Sequence, residues 1–280
     1  MQTVFLNGDF LPREEAAISP DDRGFLFSDG VYEVARAYDG RLFELDRHLG
    51  RLERSLHAIR IRGVAPSRIG PAFQELLIRN GLEGSDALVY LQVTRGSAPR
   101  THRFPDPTVE PTIYGYAWAY PAAGEPEEGV RAITVPDQRW ARCDVKTVGL
   151  IPNCMASQAA HEAAAAEAIF VRDGIALEGT HTNLFAVFRG VVRTGPLTNY
   201  ILPGVTRAVV LELCADAGYE VDEAPIPIED LYRANEIFLA GTTAEVTPVT
   251  DLDGRAVGPG RPGEISLRLL GLLRERARAG

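Results

Sequence analysis

Of the 29 basic side chains in this sequence, one is a lysine, Lys146, and the other 28 are arginines. An arginine keeps its proton inside a protein and cannot attack a carbonyl. A lysine amine can, and it forms Schiff bases with carbonyl compounds. A sole lysine against so many arginines is therefore either an amine nucleophile or a solvated survivor of a composition that favours arginine, and the count alone leaves both open. Lys146 lies in the segment RWARCDVKTVG, between a predicted strand and a predicted helix. Such a junction turns a side chain toward a cleft more readily than toward a core.

Other residues suggest what such an amine would work with. Glu178, in ALEGTHTN at the end of a predicted strand, is placed to keep a pyridine nitrogen protonated, which makes the ring an electron sink; the alternative is a turn residue in solvent. The run Leu202-Pro203-Gly204-Val205-Thr206 leads straight into a predicted helix, whose free N–H groups and positive dipole end suit an anion. Thr242, in Gly241-Thr242-Thr243, adds a hydroxyl after a predicted strand. Arg51 could pair bidentately with a phosphate, although Arg47, Arg51 and Arg54 also read as a solvated helix face. Arg95, Arg100, His102 and Arg103 crowd one loop, TRGSAPRTHRFP, as a trap for an anionic substrate or as a solvated loop. An amine, a ring-nitrogen carboxylate and two anion sites form the set that a pyridoxal phosphate enzyme needs.

The elements that must position these groups read as mixed α/β. Two short strands surround Asn7-Gly8-Asp9, and a hairpin turns at Asp39-Gly40. A helix follows with Asp46 as its expected cap, then a helix from Ser67 to Asn80, then strands ALVYLQVT and PTIYGYAWAY. The stretch 121–129, PAAGEPEEG, has the composition of a linker. It separates a small α/β domain at 1–120 from a larger cofactor-binding domain at 130–280. In the second, strand VRAITV precedes a helix with Asn153 as expected cap, followed by strands, a helix from Val205 to Gly218, further strands and a terminal helix from about Glu264.

Composition excludes several classes. With 45% hydrophobic and 24% charged residues the chain is an ordinary globular protein, and a net charge of −9 opposes a nucleic-acid surface. Cys143, Cys154 and Cys214 have neither zinc-site spacing nor disulfide density, and no metal site is expected. The first residues lack a signal-peptide pattern and no stretch is apolar enough to span a membrane, so the expectation is a cytoplasmic protein.

Seven segments occur in one order from residue 21 to 249: DDRGFLFSDGVYEV, HLGRLERS, VYLQVTRGSAPRTHRFP, RWARCDVKTVG, ALEGTHTNLFAV, ILPGVTR and FLAGTTAEVTPV. Together they resemble the fold-type IV pyridoxal phosphate enzymes, which include branched-chain aminotransferases, aminodeoxychorismate lyases and D-amino acid aminotransferases. Arg100-Thr101-His102 makes the sequence most similar to the D-amino acid aminotransferases, where Arg-x-His is associated with the substrate α-carboxylate on a loop from the neighbouring subunit. The resemblance implies a homodimer, two domains with pyridoxal 5'-phosphate at their interface, and transamination of D-alanine- or D-glutamate-type donors with a 2-oxo acid acceptor. It assigns Lys146 as the Schiff-base lysine and Glu178 as the partner of the pyridine nitrogen. Arg51, Val205, Thr206 and Thr242 fall on phosphate positions, Leu202 on an apolar position against the ring, and Tyr32, Arg100 and His102 on the carboxylate trap. His181 stands where these enzymes usually carry small hydroxyl residues, which bears on acceptor range. The same fold also serves L-branched-chain aminotransferases, (R)-amine transaminases and lyases; a non-enzymatic binding protein would not need lysine, carboxylate and trap together.

Overall fold

The computed structural model describes residues 2–121 and 128–279. Most of the expected linker, residues 122–127, lies outside the described residues. Two compact units are present, and the chain does not pass from one to the other only once. Val145–Gly149 belongs to the N-terminal unit although residues on either side belong to the second.

The first unit is a six-stranded antiparallel sheet of β1 (Thr3–Leu6), β2 (Asp9–Pro12), β3 (Gly30–Tyr38), β4 (Arg41–Leu42), β5 (Ala87–Thr94) and β6 (Thr112–Ala119), in the order β2-β1-β6-β5-β3-β4. Alternation along β3 and β5 sends Val31, Ala35, Ala37, Val89, Leu91 and Val93 into one core. Helices α2 (Leu45–Ala58) and α3 (Pro66–Arg79) cover that face with Leu52, Leu56, Phe73, Leu76 and Leu77. A short helix, α1 (Arg23–Phe27), precedes β3, with Asp22 as its cap accepting from the Gly24 N–H at 2.8 Å. Asp46 does not cap α2. Glu44 holds the N-cap in a left-handed conformation without a side-chain bond, and Asp46 lies inside the first turn, where its charge suits the helix dipole.

The second unit contains β7 (Val130–Pro136), β8 (Glu167–Arg172), β9 (Ile175–Gly179), β10 (Asn183–Phe188), β11 (Val191–Thr194), β12 (Val221–Glu223), β13 (Ile226–Pro227), β14 (Glu236–Gly241), β15 (Glu245–Leu252) and β16 (Arg255–Ala256). Along the order β10-β14-β15-β7-β8-β9 the path returns on itself, because β9 also pairs with β10 at Glu178 and Asn183. The curved sheet buries Ile169, Leu184, Ala186, Ile237, Leu239 and Val249 in one cluster. Its helices are α4 (Ile151–Glu162), α5 (Val205–Asp216), α6 (Ile228–Leu231) and α7 (Glu264–Ala279). Asn153 is not a cap either. Pro152, pre-shaped for a first turn, starts α4 earlier, and the Asn153 side chain instead donates to the Thr180 carbonyl at 2.7 Å.

Candidate functional site

In the first unit, the segment carrying Lys146 is held as an extra strand edge. Because β4 reaches only the last residues of β3, the first half of β3 has an open edge on that side. Residues 145–149 fill it: Tyr32 N–H donates to the Lys146 carbonyl at 3.0 Å, and Val148 N–H to the Gly30 carbonyl at 3.1 Å. The Lys146 N–H is directed at Ser55 Oγ on α2, 3.3 Å away. Strand-like backbone on both sides of the lysine fixes where its side chain leaves, and Nζ lies 4.1 Å from the centre of the Tyr32 ring.

Glu33, next to Tyr32, points to the opposite face of β3 and is fully buried. Arg51 on α2 grips it with two parallel bonds of 2.8 Å, and His48 Nδ1 adds a third at 2.8 Å. Burial alone would raise the Glu33 carboxyl, but the Arg51 charge and bonds and the His48 bond outweigh it and hold it well below the usual carboxylate range. Burial lowers His48 against the pull of Glu33, and the nearby Arg51 and Lys146 charges act in the same direction. Arg51 is thus aimed by Glu33 rather than displayed on a solvated face, while His48 is structural. Arg95 also leaves the expected cationic trap: it is buried, bonded twice to Asp29 and donating to the carbonyls of Ile59 and Arg60. Arg100 and His102 remain exposed on the 96–104 loop, on either side of Thr101.

In the second unit, Glu178 is the penultimate residue of β9 and is 4% exposed. Its Oε1 takes a bond from Arg139 Nη1 at 2.5 Å, and its Oε2 accepts from the Leu202 N–H at 3.0 Å and Asn183 Nδ2 at 3.1 Å. Burial pushes its carboxyl up to about 7, against the opposing pull of Arg139 and the Leu202 N–H. Asn183 also donates to the Leu202 carbonyl at 3.0 Å, tying the carboxylate to the turn before α5. Gly204 is required there, since a Cβ would collide with Asn183 Oδ1. Gly204 is also the N-cap of α5 and brings no side-chain acceptor, which leaves the first turn, with Val205 and Thr206, uncapped. Thr242 lies half-buried in the turn joining β14 and β15.

Glu178, Leu202, Val205 and Thr206 are therefore linked through Asn183 and one turn. Lys146, Tyr32 and Arg51 are linked through β3 and α2. Arg139 and Asn183 were missed from sequence. Arg139 is one arginine among 28, and Asn183 opens an apolar strand; nothing in their spacing separates them from surface residues.

The amino-transferase class IV family model matches residues 30–252. The D-alanine aminotransferase of Bacillus licheniformis is 42% identical over 265 residues, covering 94% of this chain and 93% of its own length. That of Staphylococcus haemolyticus is 40% identical over 271 residues, covering 96% and 95%. Among solved structures, a branched-chain amino acid aminotransferase from Thermoproteus uzoniensis, crystallised with norvaline, superposes with a TM-score of 0.89 at 28% identity, covering 99% of this chain and 95% of that one.

Proposed function

The chain belongs to the class IV aminotransferases, and from that premise we propose that it transfers amino groups from D-amino acids, of the D-alanine and D-glutamate type, to a 2-oxo acid such as 2-oxoglutarate, with pyridoxal 5'-phosphate as cofactor. The higher similarity to D-alanine aminotransferases than to branched-chain enzymes supports the D reading. The observation that carries the chemistry is the placement of the chain's one lysine, on a segment returned to the first unit and hydrogen-bonded along β3.

The donor set fits a phosphorylated pyridine aldehyde: one amine, a buried carboxylate with a near-neutral pKa, an uncapped helix start and nearby threonines. When bound, that group supplies an electron sink for the carbanion left at Cα. Lys146 Nζ accepts the α-proton and delivers it onward as general base and acid. Glu178 would keep positive charge at the ring nitrogen, and Leu202 would offer an apolar surface to the ring. Arg51, Val205, Thr206 and Thr242 hold the phosphate. Tyr32, Arg100 and His102 fix the substrate α-carboxylate, and the side on which they do so decides which hand presents its α-proton to the lysine.

The enzyme works as a homodimer in this reading. Supporting it, Arg100 and His102 are exposed on the single chain, and so are the large apolar side chains of Phe25, Ile151 and Met155. Its three cysteines are free thiols, in keeping with a cytoplasmic setting, and among the described residues no helix is long and apolar enough to cross a membrane.

The test is a half-reaction. Holoenzyme is mixed separately with D-alanine and L-alanine while the cofactor absorbance band is followed. The reading expects loss of the band with the D form only. Loss with the L form alone would leave the cofactor and lysine in place and overturn the carboxylate trap. Lys146→Ala should abolish the change with either hand; retained turnover would remove the catalytic assignment. Arg100→Ala should raise KM for D-alanine about tenfold or more, the value of a charge-assisted hydrogen bond.

A further inference from the structure

Arg100 and His102 lie on a loop that the chain laces to the segment before β3. Ala98 N–H donates to the Asp21 carbonyl at 3.3 Å, Arg23 N–H donates to the Gly96 carbonyl at 3.0 Å, and Asp22 forms an isolated bridge with Ser97. Beneath these backbone bonds is a buried ionic cluster. Asp29 accepts from Arg23 Nε and from Arg95 Nε and Nη2, all at 2.8 Å. Asp22, also buried, accepts from the hydroxyls of Thr94 at 2.9 Å and Thr112 at 2.6 Å.

Arg23 of this cluster and the neighbouring Phe27 touch the recognition triplet itself. Arg23 Nη1 donates to the carbonyl of Thr101, the residue between Arg100 and His102, at 2.7 Å. The Phe27 ring lies 5.0 Å from the Arg100 guanidinium carbon and 5.7 Å from the His102 ring, and Arg23 stands 4.7 Å from its centre. An exposed arginine samples many rotamers, and ordering it costs entropy at each binding event. An aromatic face that attracts the guanidinium narrows those rotamers beforehand.

We propose that Phe27 and Arg23 are positioning residues: they hold the Arg100-Thr101-His102 triplet in one geometry before substrate arrives. The proposal rests on the reading of Arg100 and His102 as carboxylate binders and assigns to α1 a role in substrate affinity. Arg23 fixes the backbone of the triplet through Thr101, and Phe27 fixes its two side chains. Asp29, shared by Arg23 and Arg95, ties that arrangement to the end of β5.

The experiment measures KM and kcat for D-alanine with holoenzyme carrying Phe27→Leu, Phe27→Tyr, Arg100→Ala and the Phe27→Leu/Arg100→Ala pair. Leucine keeps an apolar side chain and removes the aromatic face. Phe27→Leu should raise KM about threefold to thirtyfold, the range of a lost cation–π contact. Its kcat, cofactor absorbance band and thermal midpoint should stay near those of the parent. Phe27→Tyr, which keeps the aromatic face, should leave KM near that of the parent. In the Arg100→Ala background Phe27→Leu should raise KM by a clearly smaller factor, because its main partner is gone. An unchanged KM in Phe27→Leu would overturn the proposal, as would an equal increase with and without Arg100. If Phe27→Leu lowers the thermal midpoint, the comparison in the Arg100→Ala background still decides, since a general fold defect raises KM equally in both. An Arg100→Ala enzyme with unchanged KM would instead remove the carboxylate reading, and this proposal with it.

Discussion

Glu33 and Glu178 are both buried carboxylates at the end of a strand or within one, each facing one arginine from elsewhere in its own unit. Their charge states are driven in opposite directions. Arg51 gives Glu33 two parallel bonds, and His48 adds a third. Arg139 divides its fork: Nε and Nη2 go to Asp137, Nη2 also to the Tyr200 carbonyl, and only Nη1 reaches Glu178. Burial therefore prevails at Glu178, raising it to about 7, and loses at Glu33, which is held well below the usual range. The same two residue types thus build a fixed anion in one unit and an exchangeable one in the other. What differs is how many of the arginine's donors are committed to the carboxylate. A fixed anion serves to aim Arg51. A carboxyl near neutrality can take up full charge when a cation, such as a protonated ring nitrogen, arrives beside it.

The largest effect is expected from removing the guanidinium that fixes Glu33. Arg51→Ala leaves a buried carboxylate without its bidentate partner, and breaking a buried pair on one side costs about 3–5 kcal/mol. Urea unfolding of the cofactor-free protein measures this without any contribution from phosphate binding. A cost below about 1 kcal/mol would mean that Glu33 finds water or protonates cheaply, and the contrast with Glu178 would collapse.

Next in size is the pH dependence, where the two carboxylates must show opposite signs. Glu178 is raised from 4.5 to about 7 on folding. Between those values the folded state binds more protons than the unfolded one, so stability falls as pH rises, by about 3 kcal/mol over the window. Glu33 is lowered from 4.5, so its contribution is present above that value and is lost as pH falls below it. Thermal unfolding of cofactor-free protein from pH 4 to 8 should show the neutral-side slope flattened in Glu178→Gln and unaltered in Glu33→Gln. Bound cofactor should also flatten it, because a cation at Glu178 favours the ionised carboxylate. A slope that survives Glu178→Gln would assign it to another group.

The strands were legible because alternation and turn chemistry act locally: Asn7-Gly8, Asp39-Gly40 and Asp173-Gly174 all turn hairpins with their first residue in the left-handed region. Lys146 was legible because composition isolated it. The return of 145–149 to the first unit was not, since it depends on how far β4 extends along β3, a fact about pairing rather than about residues 145–149 themselves. Helix starts failed where two local signals competed. At Pro152 the proline's preset φ won over the side-chain cap read from Asn153, and at Pro66 it starts α3 one residue before the expected Ser67. Arg95 and Arg100 look alike in sequence, yet Asp29 captures one and leaves the other on the surface. Among so many arginines, only the position of the facing acid tells a buried strut from an exposed side chain.

A third buried carboxylate gives the smallest effect and the finest test of the comparison. Glu167 holds the loop between β9 and β10 through the N–H group of Thr180 at 3.0 Å and the hydroxyls of Thr180 at 2.6 Å and Thr182 at 2.9 Å, and it also accepts from the N–H of its neighbour Ala168 at 2.9 Å. His181 Nδ1 also approaches it, at 3.2 Å, with the imidazole 55% exposed. Thr180 spends its one hydroxyl proton on Glu167, so its contact with His181 Nδ1 at 3.0 Å requires the imidazole to donate. Four neutral donors remain if the histidine goes. His181→Ser, which installs a small hydroxyl residue, should change stability by less than about 0.5 kcal/mol, as exposed contacts to a satisfied group do. Urea unfolding at pH 7 checks it. A loss above about 1 kcal/mol would show that Glu167 depends on a charged partner as Glu33 does, and that His181 anchors the loop rather than standing free to meet what enters beside it.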